Sequence, residues 1–188
     1  MSPLRGMPLK WLDLAETKVT DLSPLQGMPL ERLNAYMTKV SDLAALRGMP
    51  IKFLYLGATG VTNLEPLRGM PLRILELFGT TITNLGPLRG MALENLWLGY
   101  YSGDLSALRG MPLEQLKLHD CAAQTDFSPL ASARELASLT LPVGAKNIEF
   151  LRAFPKLERI AFEEDWKNGG RPSKTAEEFW REYDAKKK

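Results

Sequence analysis

The chain has 188 residues, 45% of them hydrophobic and 24% charged, a balance too apolar for a disordered segment and ordinary for a folded one. Its 24 Lys and Arg stand against 22 Asp and Glu, a formal charge of +2, which argues against a general electrostatic grip on nucleic acid or anionic lipid. The single cysteine, Cys121, excludes an intramolecular disulfide, and no stretch approaches the roughly 20 apolar residues of a membrane span. Residues 1–5 hold no basic segment leading into an apolar run and do not read as a signal peptide. A complete chain of this kind is expected in the cytoplasm; for a fragment the compartment stays open.

Internal repetition dominates the sequence. Leu-Arg-Gly-Met begins at Leu4, Leu46, Leu67, Leu88 and Leu108, and Leu-Gln-Gly-Met at Leu25, at intervals of 21, 21, 21, 21 and 20. Weaker copies start at Leu130 and Leu151. Each unit carries the pattern L-x-x-L-x-L-x-x-T-x-V or a variant of it, the leucine-rich-repeat signature.

Taken in chain order, a unit opens on a short strand. The period-two alternation of Leu12, Asp13 and Leu14 turns the leucines to the core and leaves Trp11 and Asp13 outward. The same inward pairs recur at Leu33/Ala35, Leu54/Leu56, Leu75/Leu77, Leu96/Leu98, Leu116/Leu118, Leu139/Leu141 and Ile160/Phe162. Eight parallel strands are expected, a sheet roughly 34 Å long at about 4.8 Å per strand. Thr17, Thr38, Thr59 and Thr80 come next, a column able to satisfy buried backbone groups where the chain turns. Asp21, Asp42, Asn63, Asn84, Asp104 and Asp126 then lead into Leu-Ser-Pro-Leu or its variants, which suits a short helix or 3-10 turn. The glycines at 6, 27, 48, 69, 90 and 110 end that turn. Met7, Met28, Met49, Met70, Met91 and Met111 form a column that reads as interior packing rather than a soft-metal site.

The fold class expected is α/β: a curved leucine-rich-repeat solenoid over 1–165, in units of about 21 residues, with short helical or 3-10 turns on its convex side. A C-terminal cap is expected over 166–188, with a helix at about 175–187. Glu163, Glu164 and Asp165, then Asn168, Gly169 and Gly170, read as a solvated polar turn. Thr175 and Glu178 form a capping box, and Ala176, Phe179, Trp180 and Tyr183 share the face that folds over the last repeat. Residues 186–188, all lysine, are expected to fray. At the other end no cap precedes the first unit, so Met7, Leu9, Leu12 and Leu14 are expected to border water on an open edge. That asymmetry raises the expectation of further N-terminal repeats or domains in a longer parent chain.

The run from Thr17 to Leu25 resembles the repeats of internalins, bacterial surface proteins that bind host receptors on a concave sheet, although internalin units are typically one residue longer. The shorter unit, with Gly-Met-Pro-Leu before the strand, is similar to the C-terminal repeat regions of certain bacterial receptor-like serine/threonine kinases, as is the tail from Lys174 to Tyr183. The resemblance covers nearly the whole chain. It implies the solenoid fold and the use of outward strand positions for binding. No kinase signature element is present, so no kinase activity is carried over.

The candidate binding residues are therefore the outward ones: Trp11 and Asp13; Arg32, Asn34 and Tyr36; Phe53 and Tyr55; Ile74, Glu76 and Phe78; Asn95 and Trp97; Lys117 and His119. Aromatics concentrate in the first five repeats, while repeats six to eight are more polar. Aromatics on a rigid face are typical interface anchors; they could instead stack on one another across strands. The expected partner is a protein or peptide on the concave face. A structural spacer without a ligand and a glycan-binding surface are the alternatives.

No enzyme chemistry is expected. His119 and Cys121 resemble a base and a nucleophile, but Cys121 falls on the core Thr position, where a buried thiol is inert. One histidine and the absence of Cys-x-x-Cys or a phosphate-cradling loop leave no metal or cofactor site, and the acidic turn at Glu163 is a weak cation candidate. Arg5, Arg47, Arg68, Arg89 and Arg109 line one flank, expected to be solvated and offset by Glu31, Glu94 and Glu114. The fifth unit is one residue short, at Gly99 to Asp104, and the sixth one long, at Asp120 to Thr125, which predicts either a local bend or side pocket or simple repeat decay.

Overall fold

A computed structural model of the chain describes residues 6–123, 125–165, 167 and 169–187. Leu4 and Arg5 of the first Leu-Arg-Gly-Met, Gln124, Asn168 and Lys188 lie outside the described residues. Eight strands form one parallel sheet in chain order: β1 (Trp11–Asp13), β2 (Arg32–Asn34), β3 (Phe53–Tyr55), β4 (Ile74–Leu77), β5 (Asn95–Leu98), β6 (Gln115–Lys117), β7 (Ser138–Thr140) and β8 (Arg159–Ala161). Their register places Leu12, Leu33, Leu54, Leu75, Leu96, Leu116, Leu139 and Ile160 side by side. From Leu33 onward every member of that ladder is fully buried. Burial of this kind is the main stabilising term in such a stack, because no single repeat can bury its own apolar face.

Between strands the chain returns through 3-10 turns such as Ser23–Leu25, Glu65–Leu67 and Ser128–Ser132. Asp21, Asp42, Asn63, Asn84, Asp104 and Asp126 each accept the N–H two residues further on, at 2.7 to 2.9 Å. The turn leaves through a left-handed residue, which explains glycine at Gly48 (φ +70°) and Gly69 (φ +71°). Met28, Met49, Met70, Met91 and Met111 are buried between turn and strand, whereas Met7 is 41% exposed at the β1 edge.

The Thr column closes the bend after each strand. Thr17, Thr38, Thr59 and Thr80 donate to the carbonyls of Leu14, Ala35, Leu56 and Leu77 at 2.6 to 2.7 Å. In the short fifth unit Tyr101 takes this place, 2% exposed, and its hydroxyl donates to the Asp104 carbonyl at 2.8 Å. The missing residue is thus replaced by ring volume in the core. On the flank, Glu31 bridges Lys10 (3.1 Å) and Lys52 (2.8 Å), and Glu94 pairs with Arg73 (2.5 Å). These acids therefore offset Lys10, Lys52 and Arg73 rather than the Arg47–Arg109 column, whose Arg68 pairs with Glu65 instead.

The C-terminal segment does more than cap. After β8 the chain forms an antiparallel pair, β9 (Glu164–Asp165) and β10 (Arg171–Pro172), and then helix α1 (Ala176–Ala185). Thr175 and Glu178 make the reciprocal capping box. Ahead of α1, Ile160 N–H donates to the Lys174 carbonyl and Ala176 N–H to the Glu158 carbonyl, at 3.3 and 2.8 Å, so the exposed edge of β8 is paired. Phe179, 3% exposed, lies 5.1 Å from Phe162 and seals the end of the core. The helix is tied down by Arg152, which pairs with Asp184 and covers Trp180, and by Glu149, which accepts from Tyr183 and Lys187. Lys187, where fraying was the expectation, pairs with Glu149 and lies 4.8 Å from the Tyr183 ring.

Replacing Thr80 by valine keeps its volume and removes the buried hydroxyl. The Leu77 carbonyl retains one donor, the Thr80 N–H, so the expected loss is about 1 kcal/mol in urea unfolding, with unchanged far-ultraviolet dichroism.

Candidate functional site

Because neighbouring strands are in register, the outward residues form columns along the sheet. One runs Trp11, Arg32, Phe53, Ile74, Asn95, Gln115; the next runs Asp13, Asn34, Tyr55, Glu76, Trp97, Lys117. A third, just past the strands, alternates large and absent side chains: Tyr36, Gly57, Phe78, Gly99, His119. The glycines there answer a demand for space. A Cβ on Gly57 would lie 2.7 Å from Glu76 Oε1 and 2.9 Å from the Tyr36 ring, and one on Gly99 would lie 2.7 Å from the Gly79 amide nitrogen. Neighbouring side chains lean over those gaps.

Above them is a cavity of about 330 Å³ lined by Asn34, Tyr36, Tyr55, Glu76, Phe78, Trp97 and Leu98, with Lys117, His119 and Glu164 at its C-terminal end. Eight of the candidate residues are thus brought together. Trp11, Asp13, Arg32, Phe53, Ile74 and Asn95 are not in it. Trp11 stands 61% exposed at the β1 edge, and Asp13 accepts from the Ala15 amide. Arg32 lies over the Phe53 and Tyr55 rings, 5.5 and 5.3 Å from their centroids, and donates to the Tyr55 hydroxyl at 2.8 Å. Asn95 and Trp97 both donate to the side-chain amide oxygen of Gln115, at 3.5 and 3.2 Å. Ring contacts are present as well: Tyr55 and Trp97 lie 6.4 Å apart, and Phe78 stacks on His119 at 5.4 Å.

The polar end of the face is covered. Lys117 is only 7% exposed; its ammonium lies 3.0 Å from Glu164 Oε2, donates to the Gly170 carbonyl at 2.6 Å and sits 4.8 Å from the Trp97 ring. Thr140 and Ala161, the following residues of the same column, are also buried, with Thr140 donating to Glu164 at 3.2 Å. Arg159 donates to the Pro172 carbonyl. The β9–β10 pair therefore roofs the outward side of β6 to β8 and closes one end of the groove. This corrects the expectation of a solvated acidic turn: the Glu164 side chain is 1% exposed. Composition hides such a role in an acidic run, but a signal existed, since small residues replace the aromatics at Thr140 and Ala161 and leave room for another segment.

His119 faces Glu164 at 3.4 Å and Asp120 at 3.2 Å. The facing Glu164 carboxylate raises its pKa above the ordinary 6.5 despite burial. Burial alone would raise the Glu164 carboxyl, yet the facing His119 ring and the hydrogen bond from Lys117 outweigh it and hold the pKa below 4.5. A raised histidine contributes stability that is complete below its unfolded pKa and lost as pH rises through the folded one. A lowered carboxylate contributes stability that is lost as pH falls through its folded pKa. The β9–β10 roof is thus expected to be held most tightly between about pH 4.5 and 6.5. Amide protection at Glu164, Asp165 and Arg171 should fall as pH rises past the His119 pKa, and His119→Gln should abolish that fall; a flat profile in the unaltered chain contradicts the assignment.

His119 and Cys121 do not combine into a catalytic pair. Cys121 is 7% exposed in the core, and burial pushes its thiol up to about 12, leaving negligible thiolate at neutral pH. A thiol reagent at about pH 7.5 should leave the folded chain unlabelled and modify one thiol per chain after denaturation; rapid labelling of the native protein is the contrary result. Among the described residues no group of three or more His, Cys, Asp or Glu is placed to hold a metal ion, and no helix is long and apolar enough to cross a membrane.

Eight parallel strands alternating with 3-10 turns, closed by a C-terminal helix, define a leucine-rich-repeat solenoid. The chain is structurally similar to internalins of Listeria monocytogenes. Against the internalin inlF of that species the TM-score is 0.75 at 26% identity, covering 81% of this chain and 47% of that one. Against internalin C2 (inlC2) it is 0.72, also at 26% identity, covering 81% and 70%. The chain thus spans about half the length of the first. No family model matches, and no curated protein does.

Proposed function

We propose that this chain is a protein- or peptide-binding module of a larger bacterial protein, working through the open part of its outward sheet face between Trp11 and Trp97. The observation that carries this reading is the aromatic cavity around Tyr36, Tyr55, Phe78 and Trp97, left uncovered while the β9–β10 pair roofs the remainder of the face. Rigid rings around a concave, partly apolar space supply large contact area at low entropic cost, which is how interface anchors work. The fold itself is typical of interaction modules, and the similarity to internalins supports that use without naming a ligand. The parent is read as a protein of the receptor-like type that the repeat unit resembles. The solenoid contributes recognition and no catalysis.

The spacer reading has one observation of its own, the ring contacts Tyr55–Trp97 and Phe78–His119. Substitution separates the two. A Tyr55→Ala, Trp97→Ala double variant should lose at least about thirtyfold in affinity for a protein partner captured by the unaltered chain, the loss of about 2 kcal/mol expected of anchor residues. Both proteins should keep the same far-ultraviolet dichroism. If the double variant is less stable yet retains every partner, the rings only stabilise the sheet. Binding to a glycan array but to no protein would select the sugar-binding alternative.

A further inference from the structure

The cavity carries a charge that the fold does not use. Glu76 sits on β4 with Tyr55 and Trp97 as its register neighbours on β3 and β5. The centroids of those two rings are 6.4 Å apart, well inside the roughly 9.6 Å spanned by two strand spacings, so the rings lean together over it. Its carboxylate turns toward Gly57, where Oε1 and the Tyr36 ring share the space that a side chain at Gly57 would fill. Phe78 follows on the same outward side. Among the described residues the Glu76 carboxylate accepts no hydrogen bond and joins no ion pair, and burial pushes its pKa up, with Lys117 partly offsetting that.

The neighbouring charges do not supply a counter-ion. Lys117 is committed to Glu164, the Gly170 carbonyl and the Trp97 ring. His119 lies between Glu164 and Asp120. Even with His119 protonated, Lys117 and His119 face three carboxylates, those of Glu76, Glu164 and Asp120, so the residual charge at this end of the groove is negative. A desolvated carboxylate among aromatic rings is the arrangement that binds cations: the anion supplies charge and the ring faces supply a quadrupole attraction that strengthens as water is excluded. The face already uses its rings in this way, with Arg32 over Phe53 and Tyr55 and Lys117 over Trp97.

We propose that the cavity receives a positively charged side chain, lysine or arginine, from the protein partner, with its charge against the Glu76 carboxylate and its stem against the rings of Tyr36, Tyr55, Phe78 and Trp97. This rests on the reading of the face as a protein-binding surface and specifies what it recognises. A cavity of about 330 Å³ takes one such side chain and not a helix or strand, so the cation is an anchor within a wider contact.

The test uses the whole chain and four blocked pentapeptides that differ only at the central residue of a glycine background: lysine, arginine, norleucine and glutamate. Binding is read from backbone amide shifts at Tyr55, Glu76 and Trp97 in heteronuclear NMR. The lysine and arginine peptides should saturate those shifts at concentrations at least tenfold below norleucine, and glutamate should be the weakest. Glu76→Gln removes the charge with little change in shape, and it should erase the gap between lysine and norleucine. Trp97→Leu should weaken both cationic peptides at least fivefold, with unchanged amide spectra away from β4 to β6 showing that the chain is folded. Equal binding of lysine and norleucine, a gap that survives Glu76→Gln, or no shift with any peptide overturns the proposal. The outcome is separable from that of the broader reading. If partner capture is lost in the Tyr55, Trp97 double variant while lysine and norleucine bind alike, the protein-binding face stands and the cationic anchor falls. If the cationic preference holds while the double variant keeps all partners, the cavity binds a cation that no partner supplies, and the anchor falls together with the broader reading.

Discussion

Parallel pairing in register between successive repeats is the constraint on which the rest of this molecule depends. Each strand is only three or four residues long, far too short to be stable alone. Stacking buries the ladder from Leu33 to Ile160 and, two residues further along each unit, a second ladder through Leu56, Leu77 and Leu98. A repeat of fixed length keeps those ladders aligned, because a slip of one residue would turn every leucine to water. The Thr hydroxyls and Asx caps then satisfy backbone groups at the bends between strands.

Register also determines the outward face. Once the leucines are aligned, the residues between them have no choice but to form columns, and a side chain can be judged only against its neighbours one strand away. Gly57 and Gly99 show this. Neither is forced by a left-handed backbone; both make room, the first for a carboxylate and a ring, the second for a neighbouring backbone amide. The alternation with Tyr36, Phe78 and His119 turns a flat sheet into a recessed surface. Where the unit length breaks, in the fifth repeat, Tyr101 fills the core.

The C-terminal segment settles which part of that surface is available. Its helix pairs and covers the last strand, as a solenoid end requires. The β9–β10 pair in addition lies over the outward side of β6 to β8, held by a buried Lys117–Glu164 pair with His119 and Thr140 beside it. A buried ion pair of this kind is a weak source of stability, because desolvating both groups offsets their attraction; its role is to set position. It places the end wall of the groove and engages the lysine that would otherwise neutralise Glu76.

By itself the sequence determined the solenoid, its eight strands, the capping box at Thr175 and the division of each strand into inward and outward residues. These are local or periodic properties, and a regular 21-residue unit expresses them within any one copy. It also located the aromatic outward residues, though not which of them meet: Tyr36, Tyr55, Phe78 and Trp97 come from four different repeats, while Trp11 and Phe53 stand apart. Only the tertiary structure decided that Lys117 is buried rather than offered, that Glu164 is a wall of the groove rather than a solvated turn residue, and that Glu76 has no ion-pair partner among the described residues. Those outcomes depend on contacts such as Lys117 to Glu164 and Gly170, 47 and 53 residues apart in the chain. They arise where a non-repeating segment folds back on a repeating one, and no periodicity within the units encodes that meeting.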